Sequence, residues 1–102
     1  MTEAELEVEI TDLCEELGLL WHLCTDSRRC RGKRGFPDLV VAGPGGHLFR
    51  ELKGEYGTTS AGQDAWHWTL HQGKGGGPCP YKVWWPEDWR SGKIRDELEK
   101  IS

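Results

Sequence analysis

Three charged residues stand where a half-buried hairpin would ordinarily be apolar. In "GFPDLVVAGPGGHLFRELKGEYG", residues 35–57, Asp38 opens one short apolar run, and Glu51 and Lys53 lie two apart at the end of the next. Strand side chains alternate faces, so Glu51 and Lys53 share a side with His47 and Phe49. Asp38 and Glu51 occupy matched positions on the two strands, and two carboxylates ~4 Å apart repel by about 4 kcal/mol at an effective dielectric near 20. A cation must lie between them. Mg²⁺ suits so sparse a set, because it is content with one or two carboxylates plus waters and phosphate oxygens. Lys53 could then hold or polarise a water that attacks phosphorus, or neutralise charge in the transition state.

Other elements must position this hairpin. "TEAELEVEITDLCEELG" predicts a helix, with Thr2 and Glu5 as a capping box, Gly18 as the C-terminal glycine, and Leu6, Ile10, Leu13, Cys14 and Leu17 as its buried stripe. Glu3 falls inside that stripe and Glu7 at its edge. "LLWHLC" (19–24) predicts a strand and "PDLVVA" (37–42) a second. "GPGG" (43–46) reads as a turn and "HLFRELK" (47–53) as the returning strand. Ser60 caps a helix running to about His71, on which Gln63, Trp66, His67 and Leu70 share a side. "YKVWW" (81–85) is a last strand, Pro86 breaks it, and "SGKIRDELEKI" is a C-terminal helix. The order is α-β-β-β-α-β-α.

An ion pair between Glu51 and Lys53, with Asp38 as a polar strand start, would be the bland reading. Three features count against it: the strands around the charges are apolar, Gln63 follows Lys53 on a capped helix, and Glu3 lies in an apolar stripe. With these residues the chain resembles the VRR-NUC family, the virus-type replication and repair nuclease domain of the PD-(D/E)XK superfamily. The likeness runs from Glu3 to about Trp89 and rests on "EAELEVEITDLCEELG", "GFPDLVV", "HLFRELKGEYGTTSAGQDAW" and "YKVWWPEDW", with "SAGQ" as its S-x-x-Q piece. It implies a restriction-endonuclease-like α/β fold, a central mixed sheet flanked by helices, as one domain over residues 1–102. It further implies a Mg²⁺- or Mn²⁺-dependent endonuclease, similar to stand-alone phage proteins that dimerise and cut branched DNA such as four-way (Holliday) junctions in recombination and repair. By the same likeness Asp38 and Glu51 are metal ligands, Lys53 the catalytic lysine, Gln63 a positioning residue and Glu3 the first-helix acid that joins the metal site. Glu7 is its rival for that last role.

The composition sets bounds on this. The 102 residues carry a net charge of −4 and are 36% hydrophobic, which makes one domain and no generic nucleic-acid coat. The cations are concentrated, however: Arg28, Arg29, Arg31, Lys33 and Arg34 fall within "RRCRGKR", just before Asp38. That stretch is either a solvated loop or a contact to DNA phosphates. Six tryptophans predict a tryptophan-rich core, with Trp66 and Trp68 packing their helix on the sheet. No stretch suits a membrane span or a signal peptide, so a cytoplasmic protein is expected, in the host cell if phage-encoded. The four cysteines lack C-x-x-C spacing and are expected as free thiols. "GKGGGPCP" lacks the Walker spacing, so no nucleotide cofactor is indicated.

Rival readings stay open on the sequence. One is a catalytically silent DNA- or RNA-binding module, and others are a flap, nicking or restriction-like nuclease. A zinc site could use His67 and His71, or Cys24, Cys30, Cys79 and His22, but neither set has motif spacing.

Overall fold

The computed structural model describes residues 1–24, 31–71 and 81–102, with His71 described in its backbone alone. The elements run α1 (Glu3–Glu16), β1 (Leu20–Leu23), β2 (Leu39–Gly43), β3 (Gly46–Leu52), α2 (Ala61–His71), β4 (Tyr81–Trp84), α3 (Pro86–Arg90) and α4 (Lys93–Ile101). This is the expected order with one addition. Pro86 does end β4, but it also opens α3, since the first helical position needs no N–H and proline's fixed φ suits it. The C-terminal region is therefore two helices rather than one.

The strands form one mixed sheet in the order β1-β2-β3-β4. β1 pairs antiparallel with β2 and β2 with β3, while β4 lies parallel to β3. A parallel neighbour requires a crossover, and α2 lies within it. In the hairpin Gly43 faces Gly46 and Leu39 faces Arg50. Pro44 and Gly45 form the tip, and that turn sets the count that brings Asp38 level with Glu51 one step beyond the last pair.

One sheet face carries the core. Leu39 and Val41 of β2, Leu52 of β3 and Trp84 of β4 pack with Leu6, Ile10, Leu13 and Cys14 of α1 and Ile94, Leu98 and Ile101 of α4. The core is mainly aliphatic, which corrects the tryptophan-rich expectation: of the six tryptophans, Trp84 alone is fully buried. Trp68 is 63% exposed and does not pack on the sheet. Arg50 also points into this side, 2% exposed. Its guanidinium lies 4.9 Å from the Trp84 ring centroid and 3.4 Å from the Glu97 carboxylate.

On the other sheet face α2 lies at the β3–β4 end, where it meets Glu51 through Gln63 and Tyr81 through His67. No helix among the described residues is long and apolar enough to cross a membrane.

Candidate active site

The hairpin brings Asp38 and Glu51 together by backbone and side chain at once. The Asp38 N–H donates to Glu51 Oε2 at 3.3 Å, and the Leu52 N–H donates to Asp38 Oδ2 at 3.2 Å. Each carboxylate is thereby tied to the partner strand, which holds both against the sheet rather than in solvent. The Glu51 side chain is 3% exposed and that of Lys53, 3.9 Å away from Oε1, is 14% exposed. Lys53 itself is anchored by its N–H to the Trp84 carbonyl at 3.1 Å.

Burial and crowding act on the two acids together. Burial, then the charge and hydrogen bond of Asp38, push the Glu51 carboxyl up to about 8, against a partial offset from Lys53. Asp38 is also raised, chiefly by burial, with the hydrogen bonds from Glu51 and Leu52 and the charge of Lys53 working the other way. Without a cation the pair therefore favours holding one proton between two carboxylates.

Gln63 is placed by the start of α2. The Gln63 N–H donates to Ser60 Oγ at 3.3 Å and the Ser60 N–H donates to Gln63 Oε1 at 2.8 Å, so S-x-x-Q is a capping box. The other end of the same amide, Nε2, donates to Glu51 Oε1 at 2.6 Å. A glutamate at position 63 could cap the helix equally well but would face Glu51 with a second negative charge. The amide accepts at one end and donates at the other.

The contact that seats this helix is between glycines. Gly35 has φ +90, and a Cβ there would collide with the Gly62 carbonyl carbon. Only a residue without a side chain fits, because the backbone is left-handed and the helix start is already in contact. Trp66 adds a hydrogen bond from Nε1 to the Lys33 carbonyl at 3.4 Å.

The first helix reaches the site through its acidic start. The capping box of Thr2 and Glu5 is formed, and a Cβ at Gly54, directly after Lys53, would lie 3.2 Å from the Glu3 nitrogen. Glu3 is exposed, not hidden as its azimuth on the stripe suggested, because it stands at the helix end beyond the packed turns. It still senses the site: partial burial and then the Asp38 charge raise its carboxyl, and Lys53 lowers it. Glu7 is raised by burial, then by Glu3 and Asp38. The Asp38 charge thus acts on both rival acids of α1.

Of the basic run, Arg31, Lys33 and Arg34 are exposed on the segment leading to Asp38. Arg28 and Arg29 lie outside the described residues. So do Cys30, Cys79 and the stretch "GKGGGPCP". Cys14 is a free, buried thiol, as expected. Cys24 is disulfide-bonded, with its partner outside the described residues, which corrects the free-thiol expectation for that residue and removes its thiolate from any zinc set. His67 stacks on Tyr81, with ring centroids 4.8 Å apart, and the side chain of His71 lies outside what is described.

Tyr81 is a site residue that its sequence pattern does not reveal. It pairs with Phe49 across the parallel ladder, on the face that carries Glu51. Its phenol is raised by burial and then by the charges of Glu51, Asp38 and Asp64. The alternation of "YKVWW" could place Tyr81 and Val83 on one face, but not against Glu51, because that needs the register across a crossover.

Among the described residues no three His, Cys, Asp or Glu side chains gather closely enough to form a metal-ligand cluster by themselves. The chemistry of the facing pair nevertheless fits a hydrated divalent cation: two hard oxygen donors, one buried and one half-buried, with a single ammonium beside two carboxylates, which leaves a coordination shell to be completed by water and phosphate oxygens. No family model, curated protein or solved structure compared with the chain matches it. The fold class that stands is α/β, with a four-stranded mixed sheet flanked by helices.

Proposed function

We propose that the protein is a Mg²⁺- or Mn²⁺-dependent DNA endonuclease of the VRR-NUC type with a restriction-endonuclease-like fold. Its preferred substrate is branched DNA, and it acts as a homodimer in the cytoplasm. The observation that carries the reading is the hydrogen-bonded pair of half-buried Asp38 and buried Glu51, with the Lys53 ammonium 3.9 Å from Glu51. Buried like charges are costly, and folds retain them where chemistry needs them.

Asp38 and Glu51 would hold the cation, with Glu3 or Glu7 contributing through a water. When bound, the metal would neutralise phosphate charge and lower the pKa of a water. Lys53 supplies the second positive charge: its ammonium orients the attacking water and stabilises the charge that builds on the phosphoryl oxygens. Gln63 fixes the Glu51 carboxylate so that one oxygen is committed to the amide. Arg31, Lys33 and Arg34 hold the DNA backbone, joined by Arg28 and Arg29 of the same run. Two-fold symmetric junctions call for two cuts, which a symmetric pair of these single-site domains provides.

The deciding experiment incubates purified protein with Mg²⁺ or Mn²⁺ on four-way, flap, single-stranded and linear duplex DNA. Faster cutting of the branched substrates, abolished by chelation and reduced at least ~100-fold in Asp38→Asn, Glu51→Gln and Lys53→Ala, is the expected result. Equal cutting of all four would remove the branched-DNA preference. Wild-type rates in Asp38→Asn would remove the catalytic assignment.

A further inference from the structure

We propose that Phe36 is a stacking residue whose exposed ring receives an unpaired nucleobase next to the phosphate handled at Asp38. The inference rests on the nuclease reading for its location and deepens it by naming what makes a substrate distinguishable.

Phe36 lies two residues before Asp38 and is 47% exposed. A large apolar ring on a loop usually folds inward. This one is held outward by neighbours: Trp66 stands at 84° with centroids 4.9 Å apart, and Phe49 at 80° with centroids 6.2 Å apart. The backbone behind it is fixed as well, by the Gly35 to Gly62 contact on one side and the Trp66 to Lys33 hydrogen bond on the other. The ring is therefore preorganised, which lowers the entropy cost of binding.

Charge identifies the class of ligand. Arg31, Lys33 and Arg34 are exposed within the five residues before Phe36. An apolar protein surface docked on the ring would strip water from those cations without pairing them. A nucleic-acid strand satisfies both at once, with phosphates for the cations and a π-face for the ring, the combination single-strand binding sites use. In continuous duplex the bases are stacked on each other, so the ring meets a base only where stacking is interrupted: at a branch, a flap or a single strand.

The test uses 2-aminopurine placed at the branch of a four-way junction and of a flap, bound by the full-length protein in Ca²⁺, together with cleavage in Mg²⁺ or Mn²⁺. Phe36→Tyr keeps the ring and Phe36→Leu keeps apolar bulk without it, with thermal melting to verify that both fold. Stacking predicts a wild-type-like fluorescence change and affinity for Tyr, and for Leu no such change and about tenfold weaker branch binding. If Leu behaves as Phe, the residue only fills space and the proposal is overturned. It is equally overturned if Tyr fails as Leu does. Wild-type protein that shows the Phe36-dependent change yet cuts no DNA would overturn the nuclease reading and leave the stacking site standing.

Discussion

At the scale of single residues, Gln63 joins structure to chemistry with one amide, since Oε1 closes a capping box and Nε2 fixes Glu51. Gln63→Glu and Gln63→Ala separate the two roles. Glu keeps the cap acceptor but lacks the donor and sets a second carboxylate against Glu51, so activity should fall at least tenfold, with a loss of melting temperature that shrinks in acid as the carboxyls protonate. Ala lacks both and should also cost about 1–2 kcal/mol in a urea titration. Glu51 offers a second test. Its folded-state carboxyl is raised from 4.5 to about 8, so the charged form is the one the fold disfavours. Stability of the metal-free protein is then fullest below the ordinary carboxylate range and declines as pH rises through that interval. Glu51→Gln supplies an amide that donates to Asp38 without a charge. It should flatten the decline in melting temperature between about pH 5 and pH 8 and stabilise the metal-free protein by on the order of 1–2 kcal/mol near pH 7.5. Mg²⁺ or Mn²⁺ should raise the melting temperature of the wild type, and the same variant should abolish that shift.

At the scale of elements, α4 is pinned to the sheet by Glu97. Its carboxylate accepts from Lys82 Nζ at 2.8 Å and Trp84 Nε1 at 2.7 Å and pairs with the buried Arg50 guanidinium. Burial works to raise this carboxyl, but the hydrogen bonds from Lys82 and Trp84 and the Arg50 charge outweigh it and hold it below the usual range. Its stabilisation is therefore present above the ordinary glutamate pKa and disappears as pH falls through the lowered one. Glu97→Ala should cost about 2–3 kcal/mol at pH 7, because Arg50 is left buried without this partner, and the deficit should shrink in acid. None of this was legible in "SGKIRDELEKI", which shows an amphipathic helix but not what its polar edge meets. The hairpin was legible because "GPGG" fixes the count between Asp38 and Glu51, and the first helix because Thr2, Glu5 and Gly18 mark its ends. Gln63 reached the site only through the likeness of S-x-x-Q. Tyr81 and the Gly35 to Gly62 contact depend on a crossover, where local pattern carries no register. The tryptophans misled for a different reason: size predicts burial on average, yet the core face was already filled by aliphatic side chains of α1 and α4.

At the scale of the whole molecule, the net charge of −4 and the proposed DNA ligand are reconciled by distribution. Acids crowd α1 and the site, while Arg31, Lys33 and Arg34 hold the approach to Asp38. Binding should then weaken steeply with salt, and replacing those three by alanine should reduce the slope of log affinity against log salt by about one for each phosphate left without its cation. Filter binding across a salt series from about 50 to 300 mM reads this directly. The helices are distributed just as unevenly. Those that enclose the core supply its buried side chains, whereas no described residue of α2 is buried. Its ties include a glycine contact, the Gln63 amide bridge, the Trp66 to Lys33 hydrogen bond, a ring pair and a stacked histidine. Such an element opens at a smaller free energy than the sheet beneath it. In native-state hydrogen exchange, the α2 amides should give up their protection well before those of β2 and β3, as a separate cooperative unit. The helix that carries Gln63 would then be the last part of the fold to lock and the first to release, so on warming activity should vanish at a temperature where the core is still intact.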